Sequence, residues 1–195
     1  MSPMNNPRAV SDPPHKDTAF AVVVGARGWQ HRGWEGTYYP TDLPAQWRLP
    51  YYANDFSGVL VPEREWRQVS PAELRQWRED TPEGFGFFLE TGDPAAPGAE
   101  QAAEALRDRL AGFVGVSGPA PTGSLAAIPL PQDPGAGARI LLLTPGDLAD
   151  RRLLGRRLTA IAQQAVPPRA LIVSAAAGAA AIAELRLLAE VTGLA

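Results

Sequence analysis

The sequence predicts an α/β fold in which parallel strands alternate with helices, and two observations carry that expectation. Short apolar runs that read as strands, "AFAVVVG" (19–25), "GVLVP" (58–62), "GFGFFLE" (84–90), "ARILLL" (138–143) and "RALIVS" (169–174), are separated by segments of helical periodicity. These runs are apolar throughout instead of alternating with polar residues, as strands covered on both faces are. Such an order implies a parallel sheet joined by right-handed crossovers.

The elements follow in order. The first run stops at Gly25 and opens into a long aromatic loop that lasts to about Pro50. "YYANDF" (51–56) is expected to be a short helix with Pro50 at its first position. "SPAELRQW" (70–77) has a defined helix start: Ser70 caps, Pro71 takes the first helical position, and Glu73 completes a capping box. Residues 98–111 place Ala99, Ala102, Ala103, Leu106 and Leu110 at helical spacing. "GFVGV" (112–116) and "GSLAAIPLP" (123–131) are weaker strands, crowded by proline. A helix follows from about Asp147, where Asp147 and Asp150 suit the positive N-terminal end, with Leu154, Leu158, Ile161 and Ala165 as its apolar line. Residues 177–192 form the closing helix.

Composition bounds the function. A chain of 195 residues suits one domain, and 45% hydrophobic against 20% charged residues supports a core. Twenty prolines and nineteen glycines signal many loops. The net charge of −3 argues against a nucleic-acid binder. No cysteine is present, which removes disulfides, thiolate chemistry and cysteine-ligated metals. The two histidines lie far apart, so no metal and no cofactor are expected. Residues 1–18 are expected to be a flexible tail without a secretory signal, and 19–195 a single domain. The most apolar window, Leu171–Ala183, is too short and too alanine-rich to span a bilayer, so a bacterial-type cytoplasmic protein is expected.

Motifs for nucleotide loops fail. Gly25, Gly28 and Gly33 do not make G-x-G-x-x-G, and Gly28 and Gly33 are followed by Trp34 and Glu35 where a phosphate loop needs Lys and then Ser or Thr. Arg151, Arg152, Arg156 and Arg157 spread around a helix and read as a solvated face. His31 is the one histidine outside the tail and has the pKa range for acid–base work, with Glu35 able to orient it if the stretch were helical. His31 and Glu35 are therefore the catalytic candidates. Arg27 and Arg32 could hold an anionic group, and Trp29 and Trp34 could stack on a ring. The opposing view is that the dense aromatics, from Trp29 to Tyr52, pack as a loop closing one end of the sheet.

One stretch, "GARGWQHRGWEGTYYP", resembles the opening signature of the YecE-like TIM-barrel family, domain of unknown function 72. Gly25, Gly28, Trp29, Trp34, Gly36, Tyr38, Tyr39 and Pro40 fall on it without a gap. Tyr52, Ala53 and Phe56 are similar to the family's Y-A-x-x-F helix. Trp77, Thr81, Pro82, Gly84, Phe85 and Phe87 resemble its helix-to-strand passage. "IVSAAAGAAAIAELRLLAE" is a weaker echo of the family's last strand and helix.

The departures fall on polar positions. Leu60 and Pro62 stand where the family's Glu and Asn would be, Glu90 where its Lys would be, and Ala26 and Arg27 where its Thr-Ser pair would be. Ser174 alone represents the Asn-rich strand end. The resemblance implies a TIM-barrel-like fold, shortened and incomplete, with six or seven strands recognisable. In such barrels the C-terminal strand ends carry chemistry. Keeping shape residues while losing polar ones points to a degenerate, non-catalytic scaffold or protein-interaction domain, with a homo-oligomer or protein partner covering the exposed edges. The alternative is a binder of a sugar or phosphate-bearing ligand, or a hydrolase-like enzyme, working at the mouth after the first strand.

Overall fold

Seven strands form one curled sheet in the computed structural model, which describes residues 22–93, 97–115, 126–129, 139–165, 167–174 and 176–194. The strands are β1 (Val23–Arg27), β2 (Gly58–Val61), β3 (Gly86–Thr91), β4 (Leu110–Gly115), β5 (Ala126–Pro129), β6 (Arg139–Leu143) and β7 (Ala170–Val173). Their order in the sheet is β4-β3-β2-β1-β7-β6-β5. The six strands from β4 to β6 in that order pair in parallel, and the last of the chain, β7, lies against the first. That is the neighbour order of an α/β barrel from which part of the ring is missing. The result is a curled half-barrel. Its edge strands β4 and β5 approach with Cα atoms within 8 Å, but among the described residues no ladder joins them.

One strand departs from the expectation of parallel strands throughout. β5 runs antiparallel to β6, from Ala126 opposite Leu142 to Pro129 opposite Arg139. Residues 130–138 are too few for the crossover of a dozen or more residues that a parallel return needs.

The helices are α1 (Arg48–Asp55), α2 (Glu63–Trp66), α3 (Pro71–Glu79), α4 (Ala99–Leu106), α5 (Pro145–Leu148), α6 (Arg151–Ala162) and α7 (Ala179–Thr192). α3 starts as expected, with the reciprocal Ser70–Glu73 capping box. α1 begins two residues earlier than expected, because Pro50 is tolerated anywhere in the first turn, where backbone N–H groups have no helical partner. The helix expected from Asp147 is two helices. Asp147 closes a capping box with Thr144 at α5, and Asp150 accepts from the N–H groups of Arg152 and Leu153, each at 3.0 Å, to start α6. α4 ends at Leu106, so Leu110 belongs to β4 and not to the helix. Arg107 takes a left-handed φ of 48°, which stops the helix. The tail expected over residues 1–18 lies outside the described residues.

The sheet has two apolar faces. Its outer face, with Val24, Val59, Phe87, Leu141, Leu171 and Val173, packs on the helices. Its inner face gathers Val23, Leu60, Phe88, Ala111, Val114, Ile140, Leu142, Ala170 and Ile172. Over β1, β2 and β3 one inner level holds no side chains, because Gly25, Gly58 and Gly86 pair in register there. A Cβ at Gly25 would lie 1.9 Å from the Gly58 carbonyl oxygen, so no other residue fits. No helix among the described residues is long and apolar enough to cross a membrane.

Candidate functional site

Above the glycine level, the C-terminal strand ends carry charge. Side chains alternate along a strand, so Arg27 and Glu90 point to the inner face with Val23 and Phe88. Arg27 pairs in register with Leu60, which pairs with Phe88. Arg27 therefore reaches across β2 to the next inner residue of β3, Glu90. The contact is bidentate, with Nε donating to Oε1 at 2.5 Å and Nη2 to Oε2 at 2.7 Å. The Glu90 side chain is 7% exposed and that of Arg27 34%. Hydrogen bonding to Glu90 raises the Arg27 pKa above its ordinary value, outweighing the burial that lowers it.

The short helix α2 supports this pair. Trp66 Nε1 donates to the Glu90 carbonyl oxygen at 2.7 Å. The Arg67 guanidinium lies over the Trp66 ring, 4.4 Å from its centroid, and donates to Glu63 at 2.6 Å and to the Pro97 carbonyl at 2.7 Å. The Gly92 N–H also donates to Glu63, at 3.0 Å. Slight burial pulls the Glu63 carboxyl up, but the bonds from Arg67 and Gly92 outweigh it and hold it below its usual range. An open cleft of about 420 Å³ lies over these groups, lined by Arg27, Pro62, Glu63, Arg64 and Glu90.

The residues named from sequence go to different places. His31 sits before a short 3-10 turn, Arg32–Trp34, with Nε2 3.2 Å from the Gly28 carbonyl oxygen and its ring on the edge of Trp34. Burial lowers its pKa, against the opposing effects of main-chain carbonyls and Glu65, and keeps the imidazole neutral at pH 7. Glu35 has extended backbone and pairs with Arg48 at 2.8 Å, so the helical spacing that would have oriented His31 does not exist. Glu65 is the nearer carboxylate. Gly28, with φ of +79°, leaves room where a Cβ would lie 3.4 Å from the His31 ring and 3.8 Å from Glu65 Oε2.

Trp29 and Trp34, named as stacking surfaces, are 2% and 3% exposed. Trp29 meets the edge of Trp77 and Trp34 stacks on Tyr52, so both rings serve the core. Arg32 is exposed and does not line the cleft. Arg27 is brought together with Glu63, Arg64 and Glu90 instead.

Sequence reasoning passed over α2 as an element, and with it Glu63, Arg64 and Arg67. The four-residue spacing of Glu63 and Arg67 was the available signal. Ser174, at the end of β7, has a buried hydroxyl with no partner among the described residues. Among the described residues, no group of three His, Cys, Asp or Glu could hold a metal ion.

Residues 23–112 match the model of a family described as "Protein of unknown function DUF72". The matched stretch is a little under half of the chain and runs from β1 into β4, the part that carries Arg27, α2 and Glu90. Comparison with curated proteins and with solved structures gave no match. The aromatic signature, the barrel order of β1 to β4 and this match agree in making residues 23–112 similar to the DUF72 family.

Proposed function

We propose that this half-barrel is a non-catalytic scaffold, a protein-interaction domain whose open edges are covered by a second copy of the chain. One observation carries the reading: the carboxylates that line the cleft, and His31, are already engaged by other groups of the protein. Glu90 takes two bonds from Arg27, Glu63 takes bonds from Arg67 and Gly92, and His31 faces a main-chain carbonyl. A catalytic constellation would instead pair a nucleophile with a base, or hold an acid–base pair with capacity free for substrate. Beneath the charged level lie only glycines and apolar side chains. Among the described residues, β4 and β5 each have a strand partner on one side only, which leaves edges for a second copy to cover. Size-exclusion chromatography with light scattering should give a dimer at micromolar concentration, and a monomer would overturn the reading. A cytoplasmic location suits a cysteine-free chain.

A second reading keeps a ligand at the mouth, a sugar or phosphate-bearing small molecule bound or hydrolysed there. The open cleft beside Arg27 favours it. A thermal-shift screen against sugars, sugar phosphates and nucleotides tests it: a hit that Arg27→Ala abolishes supports it, and no hit removes it. Holding a ligand without chemistry is compatible with the scaffold.

A further inference from the structure

We propose that the cleft at the ends of β1, β2 and β3 binds one small oxyanion, a phosphate or carboxylate group, between the guanidinium groups of Arg27 and Arg64. This rests on the second reading above and names its ligand class.

The built part of the site is Glu90. Its buried carboxylate engages Nε and Nη2 of Arg27 and so fixes the plane of the guanidinium. The Nη1 side of that plane has no acceptor among the described residues. A guanidinium held in this way has lost its rotamer freedom before any ligand arrives, which favours binding.

The charges decide the ligand class. Both carboxylates that line the cleft are engaged, Glu90 by Arg27 and Glu63 by Arg67 and the Gly92 N–H. The lining groups with donors left over are both cations. Arg64 is 80% exposed, and its one ion-pair contact among the described residues is a 3.9 Å approach to Glu65, which is worth little. Two arginines with open N–H groups match an oxyanion by planar, charge-assisted hydrogen bonds. Glu65 beside them opposes a large negative charge, so the cleft suits a single oxyanion group and not a polyanion. The remaining space, about 420 Å³ with Pro62 in its wall, is enough for a small molecule bearing that group.

The Trp66 indole reports on the site, because its N–H is bonded to the Glu90 carbonyl. The full-length chain is titrated at fixed ionic strength with inorganic phosphate, acetate or glucose, following the Trp66 indole resonance. A saturable shift is expected with phosphate, acetate or both, and none with glucose; the two anion arms tell a phosphate site from a carboxylate site. Arg64→Gln should weaken binding roughly tenfold, the loss of one charge-assisted hydrogen bond, while Arg156→Gln on α6 leaves it unchanged. Arg64→Gln is the decisive variant because that side chain holds nothing in the fold, whereas Arg27→Gln would strand a buried Glu90. No saturable shift with either anion overturns the inference, as does equal binding by Arg64→Gln. Saturable glucose binding independent of Arg64 also overturns it but leaves the second reading standing; silence with all three probes, and with the wider screen, removes both.

Discussion

All fifteen aromatic residues of the chain lie between Phe20 and Phe113, and from Val114 to Ala195 there is none. Yet the two regions build the same unit, a parallel strand backed by a helix. They hold it in different ways. In the aromatic region the packing is directional. Tyr52 OH accepts from the Ala26 N–H at 2.8 Å and donates to the Gly58 carbonyl at 2.9 Å, so one side chain ties β1 to β2. Tyr39 OH donates to the Trp29 carbonyl at 2.7 Å. In the aliphatic region, Leu154, Leu158, Ile182, Leu185 and Ala189 cover Leu141, Leu143, Leu171 and Val173 with no such bonds. Directional contacts specify register as well as stability, whereas aliphatic packing specifies volume. The aromatic region should therefore resist even small changes, and the aliphatic region should accept those that conserve volume.

The largest effect that would test this difference is at Gly25. Gly25→Ala places a Cβ 1.9 Å from backbone oxygen and 2.8 Å from Tyr52 OH, and should cost more than about 3 kcal/mol or prevent folding, as read by urea denaturation. A variant as stable as the parent would remove the glycine level as a packing constraint. In the aliphatic region, Leu158→Ala should cost about 2–5 kcal/mol through the cavity it leaves, while Leu158→Met should cost less than about 1.5 kcal/mol. If Leu158→Met proved as damaging as Leu158→Ala, the volume-only description would fail.

Tyr52→Phe keeps the ring and removes the hydroxyl. It should cost about 1–3 kcal/mol by stranding the Ala26 N–H and removing a donor from the Gly58 carbonyl. A neutral result would show that the aromatic region also works by volume. A smaller effect comes from acid. Burial lowers the folded-state pKa of His31 below its unfolded value of 6.5, so the unfolded chain binds the proton more readily. This contribution is fully present above pH 6.5, is lost as pH falls below it, and levels off below the folded pKa. Comparing chemical melts at pH 7.5 and 5.5 should show a loss that His31→Gln diminishes. The smallest change has the opposite sign. Gly155 lies in α6, and a Cβ added there would meet nothing within 4 Å. Gly155→Ala should therefore stabilise by up to about 1 kcal/mol, the reverse of the same substitution at Gly25.

The readability of the chain followed the same division. The strands at 58–61 and 170–173, the capping box at Ser70 and Glu73, and the closing helix came from local patterns. Arg27 and Glu90 were each recognisable as departures from the family pattern. That they form a pair was not, since sixty-three positions separate them and only the register of β1, β2 and β3 brings them together. Trp29 and Trp34 could be read as ligand surfaces or as core, because an aromatic run in sequence has no inside or outside. The direction of β5 was also hidden, since a short proline-rich strand looks the same either way.

Local composition by itself determined where most strands and helices lie, α2 and the break between α5 and α6 excepted, that the sheet is covered on both faces, and that the entrance after β1 is built from glycine and aromatic residues. Those properties depend on neighbours within a few positions, through propensity, capping and apolar periodicity. Tertiary structure alone decided that the sheet curls into a half-barrel, that Gly25, Gly58 and Gly86 share one level, and that Arg27 meets Glu90 beneath an open cleft. These depend on strand register, and register is set by the packing of side chains far apart in the chain.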